Sequence, residues 1–226
     1  MLGNVFILGD SYSTFTAHIP EGYAAYYRPE GPRYMDKDPD YVLNEKDVTK
    51  VQETWWHDFI KENGKLLLNC SWSGTTICNT GYDGSDNSRI SFVARFEKFF
   101  EKGFFTENKV DTFLLFGGTN DSWSDAPLGE PMRSGWTKDD LKNVLPAFSY
   151  LIEQLTSKLT DTKIYCIIND GLKDEITDFY KSVCDEKGVS YIELRGIEKF
   201  DGHPTIEGMK QIKEQVFGYI KEKQNI

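Results

Sequence analysis

Ser11 is the residue whose setting in this chain most directly suggests chemistry. It follows Gly9 and Asp10 at the end of the apolar run Val5, Phe6, Ile7 and Leu8, where a strand must give way to a tight turn that presents a hydroxyl. A serine hydroxyl alone is inert. As an acyl-transfer nucleophile it needs a base to take its proton, a group to orient that base, and donors for the oxyanion that forms. Three other polar stretches carry residue types suited to such tasks: Ser73-Gly74-Thr75-Thr76, Gly117-Gly118-Thr119-Asn120-Asp121 and Asp201-Gly202-His203-Pro204. Each also has a plainer use. Ser11 suits a helix cap, Asn120 and Asp121 an Asx turn, Gly74 a turn, and His203 a loop before a helix-starting proline.

The elements around these stretches decide whether they can meet. Short apolar runs at Val5–Leu8, 65–69, 110–116, 163–168 and 189–194 read as strands. The intervening stretches 50–62, 88–100, 173–184 and 205–220 carry helical spacing. A further helix is expected from Thr137 through Leu155, with Pro146 kinking or interrupting it. Continuous apolar strands separated by helices imply a parallel sheet covered on both faces, an α/β sandwich of three layers with five strands. In such folds ligands collect at the carboxyl ends of strands. The turns after the first three strands and the stretch after the last all fall there. Residues 12–48 are rich in Pro and Gly, with Tyr23, Tyr26, Tyr27 and Tyr34 among them, and read as a loop covering the site.

Composition narrows the function. The chain has 226 residues, enough for one well-buried core and short for two, so a single domain over 1–226 is expected. Its 26 basic residues against 36 acidic ones argue against nucleic acid and against an anionic membrane surface. The cysteines Cys70, Cys78, Cys166 and Cys184 read as buried thiols, none spaced as metal ligands. No zinc pattern, dinucleotide fingerprint or phosphate loop is present, so no cofactor and no metal are expected. His18 and His57 receive no role. As written the chain reads as cytoplasmic, or as secreted or periplasmic if a leader has been removed.

Taken together, the four polar stretches resemble the SGNH hydrolases, also called the GDSL esterase and lipase family. Gly9-Asp10-Ser11-Tyr12 is similar to the first block of that family, and Asn69 with Ser73-Gly74 to the second. Gly118-Thr119-Asn120-Asp121 is similar to the third, and His203-Pro204 to the last. The resemblance spans nearly the whole chain. It implies a flavodoxin-like sheet topology and ester hydrolysis, with Ser11 as nucleophile, His203 as base, and Ser11, Gly74 and Asn120 as oxyanion donors. The family's orienting aspartate normally stands three residues before the histidine, a position held here by Phe200, while Asp201 stands two before it. Asp201, a backbone carbonyl in a Ser-His dyad, or another acid, of which Asp170 beyond the fourth strand is the nearest by topology, could therefore orient His203.

The surroundings suggest the substrate. Trp72, Trp123 and Trp136 lie near the proposed oxyanion residues in sequence, and Tyr12 follows the serine directly. Rings of this kind suit the C–H faces of a sugar. A small acyl group, acetyl, on a carbohydrate is the first expectation. A lysophospholipase or longer-chain esterase is the alternative, against which the polar stretch 121–136 weighs. A catalytically inactive glycan-binding module is the alternative from another class.

Overall fold

The structure, a computed structural model, describes residues 2–38 and 40–224. Strands β1 (Gly3–Gly9), β2 (Gly64–Ser71), β3 (Thr112–Phe116), β4 (Lys163–Ile168) and β5 (Ser190–Glu193) form one sheet in the order β2-β1-β3-β4-β5. Every neighbouring pair is parallel. The helices are α1 (His57–Asn63), α2 (Phe92–Glu101), α3 (Phe104–Glu107), α4 (Thr119–Trp123), α5 (Val144–Lys158), α6 (Asp174–Lys187) and α7 (Ile206–Gln224).

Strand side chains point alternately to the two faces, and both faces are buried, which is why the strands read as unbroken apolar runs. Phe6, Leu8, Phe113, Leu115, Ile164 and Cys166 enter one cluster with α2, α5 and α6. Val5, Ile7, Leu114, Phe116, Tyr165 and Ile167 enter the other with Trp55, Trp56, α1 and α7. This is the expected three-layer α/β/α arrangement of flavodoxin-like topology. The four cysteines are free and buried. Among the described residues no helix is long and apolar enough to cross a membrane.

Register brings the polar turns together. Gly9 pairs with Ser71 on one side and Phe116 on the other, so β1, β2 and β3 end level and their following turns share one edge of the sheet.

Local chemistry shifts several element boundaries. The expected helix over 50–62 is α-helical only from His57; a short 3-10 turn at Val51–Glu53 precedes it, and the intervening Trp55 and Trp56 are sunk in the core. Helix α2 starts after Ser91, whose Oγ accepts from the Ala94 N–H at 3.1 Å, an N-cap that stops the helix reaching back to Ser88. Pro146 neither kinks nor breaks α5. It lies in the first turn, where a missing N–H costs no hydrogen bond, because the helix begins at Val144 after a separate 3-10 turn at Asp140–Lys142. Pro204 does not start the last helix; it lies in the hairpin of β6 (Lys199–Phe200) and β7 (His203–Pro204), and α7 begins at Ile206.

Candidate active site

The first turn after β1 is a 3-10 helix at Ser11–Ser13 that holds Ser11 almost fully buried at the floor of a cleft. The Asp10 carboxylate caps it by accepting the Tyr12 N–H at 3.1 Å. The Thr14 hydroxyl donates to the Ser11 carbonyl at 2.8 Å, and the Asn69 amide to the Ser13 carbonyl at 2.7 Å. The backbone that carries Ser11 is thus tied on three sides.

His203 arrives from the opposite end of the chain. Its Nε2 lies 3.0 Å from Ser11 Oγ, and its Nδ1 lies 3.1 Å from the main-chain carbonyl of Asp201. A carbonyl only accepts, so this contact calls for the proton on Nδ1, and Nε2 then accepts from the serine hydroxyl. The Tyr26 ring stacks on the imidazole with centroids 3.5 Å apart and planes 5° from parallel. The Trp123 ring meets it edge to face at 5.8 Å. Two buried phenols brace the hairpin that carries it: Tyr12 donates to the Gly202 carbonyl, and Tyr27 to the Pro204 carbonyl at 2.9 Å.

Gly74 and Asn120 line the same cleft as Ser11 and His203. Gly74 has φ of +79° in an exposed turn, and a Cβ there would project into open space, so glycine is favoured by backbone strain and leaves its surroundings clear. Asn120 is held in α4, which Gly118 starts at φ of +101°. A Cβ on Gly118 would lie 2.9 Å from the Tyr180 ring. The Asn120 Nδ2 donates to the Thr75 carbonyl at 3.0 Å, and its Oδ1 accepts from the Tyr82 hydroxyl at 2.9 Å. A hydroxyl within reach of an imidazole in an open cleft can be deprotonated for attack on a carbonyl carbon.

A family profile described as GDSL-like Lipase/Acylhydrolase matches residues 3–220. A protein from Bacteroides ovatus ATCC 8483, described as a GDSL-like lipase, superposes with a TM-score of 0.85 at 39% identity, over 98% of this chain and 99% of that one. One of like description from Bacteroides uniformis ATCC 8492 gives 0.84 at 40% identity, over 97% and 96%. The chain belongs to the GDSL-like lipase/acylhydrolase family. It is a serine hydrolase. A family two carbohydrate esterase from Clostridium thermocellum, solved with cellohexaose, shares the fold at a TM-score of 0.60 and 16% identity, over 99% of this chain and 65% of that one. A search of curated proteins finds no match.

The cleft of this hydrolase measures about 430 Å³, and the residues predicted to line it divide. Trp123 reaches it. Tyr12 does not: it is fully buried beneath the serine, where its hydroxyl serves the hairpin. Trp72 stacks on Tyr23, centroids 4.1 Å apart, away from the lining. Trp136 is turned toward α5, its indole N–H donating to Ser149 Oγ at 3.0 Å, and borders a separate cleft. Nearness in sequence does not fix where a ring on a long loop points. The rings that do line the cleft are Tyr26, Tyr34, Tyr82 and Trp123. Tyr26 and Tyr34 come from the 12–48 segment, which its aromatic content suggested would lie at the site and which also supplies Arg33 and Asp36 to the cleft. Tyr82 had no signal in the sequence, because a tyrosine between two turn glycines declares no partner.

Of the two acids considered for orienting His203, Asp201 faces the cleft and brings its carbonyl to Nδ1 from a left-handed backbone, φ +47°. Asp170 is committed elsewhere: one oxygen pairs with Lys199 Nζ and the other accepts the Ile197 N–H at 3.0 Å. No three His, Cys, Asp or Glu side chains among the described residues are grouped to hold a metal.

Beneath the site lies a sealed charged layer. Burial pushes the Asp10 carboxyl up to about 7, against the pull of the Tyr12 N–H that it accepts. Burial likewise pushes Asp121 up to about 6, although it accepts the N–H groups of Ile77 and Cys78 at 2.8 to 3.1 Å. Arg95, also fully buried, donates to the carbonyls of Gly9, Cys70 and Ile90 and to Thr75 Oγ1. It stitches the ends of β1 and β2 to the turn that carries Gly74. Phe92, Val93 and Phe96 of the same helix are buried beside it, and helical spacing alone gave no sign that a cation would join them.

Proposed function

We propose that this hydrolase removes a small acyl group, acetyl, from a carbohydrate through an acyl-enzyme on Ser11. The observation that carries the reading is the 3.0 Å contact between Ser11 Oγ and His203 Nε2 at the floor of the open, ring-walled cleft. In this reading His203 takes the Ser11 proton as Oγ attacks the ester carbonyl. The N–H groups of Ser11 and Gly74 and the Asn120 amide receive the oxyanion, each such donor being worth about 3 kcal/mol of transition-state stabilisation. The His203 imidazolium, held on the Asp201 carbonyl, returns the proton to the departing sugar hydroxyl. Water then repeats the sequence on the acyl-enzyme and frees the acid.

Tyr26, Tyr34, Tyr82 and Trp123 offer ring faces and edges to sugar C–H groups, while Arg33, Asp36 and Asp201 between them offer hydrogen bonds to hydroxyls. A long acyl chain calls instead for a continuous apolar groove, which charged residues at this rim would interrupt. The Bacteroides relatives are described as lipases, and longer-chain esters are accordingly the second reading.

The test is acetate release from acetylated xylan and amino sugars, run beside a chain-length series of p-nitrophenyl esters, for wild type and Ser11→Ala. Efficient acetate release that vanishes in Ser11→Ala is expected. Preference for the octanoate over the acetate, with no acetate freed from any glycan, would overturn the reading.

A further inference from the structure

Asn120 can serve the oxyanion only if its amide is held the right way round, and two hydrogen bonds define that orientation. One Nδ2 hydrogen goes to the Thr75 carbonyl at 3.0 Å, and Oδ1 takes the Tyr82 hydroxyl at 2.9 Å. Since Oδ1 only accepts, the phenol must be the donor, and the second Nδ2 hydrogen is left for the cleft that Asn120 lines. We propose that Tyr82 is a positioning residue for the reaction: its hydroxyl fixes the Asn120 amide and strengthens the remaining N–H as a donor to the oxyanion. The inference rests on the reading of Asn120 as an oxyanion donor.

The physical reason is polarisation along the amide. As negative charge grows on the substrate oxygen it draws on the Nδ2–H, and electron density shifts toward Oδ1. A phenol already donating to Oδ1 stabilises that shift, so the two hydrogen bonds reinforce each other. Burial and the nearby Asp10 and Asp121 push the Tyr82 hydroxyl up to about 12, which keeps it a donor through the neutral range.

Packing alone does not account for Tyr82. It is 39% exposed, on a 3-10 turn at Tyr82–Gly84, outside both core clusters. The turn is pinned by the Gly81 N–H on the Ser85 carbonyl at 2.8 Å and by an antiparallel bridge between Thr80 and Asp86. A pinned turn that aims a half-exposed phenol at one amide oxygen sets an orientation.

The experiment is a double-mutant cycle on the full chain with p-nitrophenyl acetate, joined to the side-chain amide resonances of Asn120 in a nitrogen-15 spectrum. Tyr82→Phe is expected to lower kcat about tenfold with KM within about twofold of wild type and an unchanged melting temperature. In an Asn120→Ala background the same substitution should cost less than about twofold, because the amide it serves is gone. The Asn120 resonances should shift in Tyr82→Phe while those of remote asparagines stay in place. Full kcat in Tyr82→Phe, an equal loss in the Asn120→Ala background, a rise in KM alone, or unmoved Asn120 resonances would each overturn the proposal. Failure of the esterase reading looks different: wild type neither hydrolyses esters nor is labelled at Ser11 by a phosphonate. The resonances then still decide whether Tyr82 holds the amide.

Discussion

Replacing Asp10 by asparagine should make the protein more stable at mildly alkaline pH and less sensitive to pH. The carboxyl is fully buried, and burial moves it from an ordinary value of 3.8 to about 7. Between those values the folded chain keeps a proton that the unfolded chain has released, so each rise in pH favours unfolding. The stabilising contribution is complete below the unfolded value and is lost as pH rises through about 7. A displacement of that size corresponds to a ceiling of about 4 kcal/mol. Asp121, pushed the same way to about 6, adds a contribution of the same sign, and each ionised carboxylate disfavours the other. Asparagine keeps an oxygen for the Tyr12 N–H at 3.1 Å and removes the charge. Urea unfolding of wild type and Asp10→Asn at about pH 5 and about pH 8, at one ionic strength, isolates the effect by difference. The wild-type loss between the two conditions should shrink by about 2–4 kcal/mol in the variant. An unchanged loss, or a variant less stable than wild type at the higher pH, would refute the reasoning.

Three further outcomes are expected. Asp201→Asn keeps the carbonyl that lies 3.1 Å from Nδ1 and a residue type that tolerates its positive φ, so kcat/KM should stay within about tenfold of wild type. A fall of about 10⁴ in turnover would show that the carboxylate itself does the orienting. Arg95→Met strips donors from the carbonyls of Gly9, Cys70 and Ile90 and should cost about 3–5 kcal/mol in urea unfolding; a cost under about 1 kcal/mol would contradict the bracing role. Tyr27→Phe removes the 2.9 Å bond to the Pro204 carbonyl and should lower stability by about 1–2 kcal/mol, with a fall in turnover as the His203 hairpin loosens. Unchanged thermal unfolding and unchanged turnover together would count against that coupling.

What could be read without coordinates follows from local rules. Apolar runs such as Phe113–Phe116 specify strands buried on both faces, and the glycine-bearing turns after them specify where polar groups collect, because strand ends in parallel sheets gather at one edge. The turns that carry Ser11, Gly74 and Asn120 were therefore legible as neighbours on one edge, whereas the choice of those residues and of His203 came from the resemblance to the SGNH hydrolases, and the tyrosines of the 12–48 segment pointed to its place at the cleft. Local rules also misplaced element boundaries, at Ser91, where a cap overrode spacing, and ahead of Pro146, where a separate 3-10 turn stands in place of the first helical turns.

Only the tertiary structure decided which side chains meet. It sent Trp72 and Trp136 away from the cleft, sank Tyr12 beneath it, and brought Tyr26 face to face with an imidazole far along the chain. It placed the main-chain carbonyl of Asp201 against Nδ1, a contact that residue type cannot announce because every residue has a carbonyl. It also buried Arg95, whose partners are carbonyls from three separate segments. The division has one physical cause. Periodicity and turn chemistry act between neighbours in sequence, whereas the aim of a ring, a carbonyl or a guanidinium is settled by packing against segments that meet only once the sheet has formed.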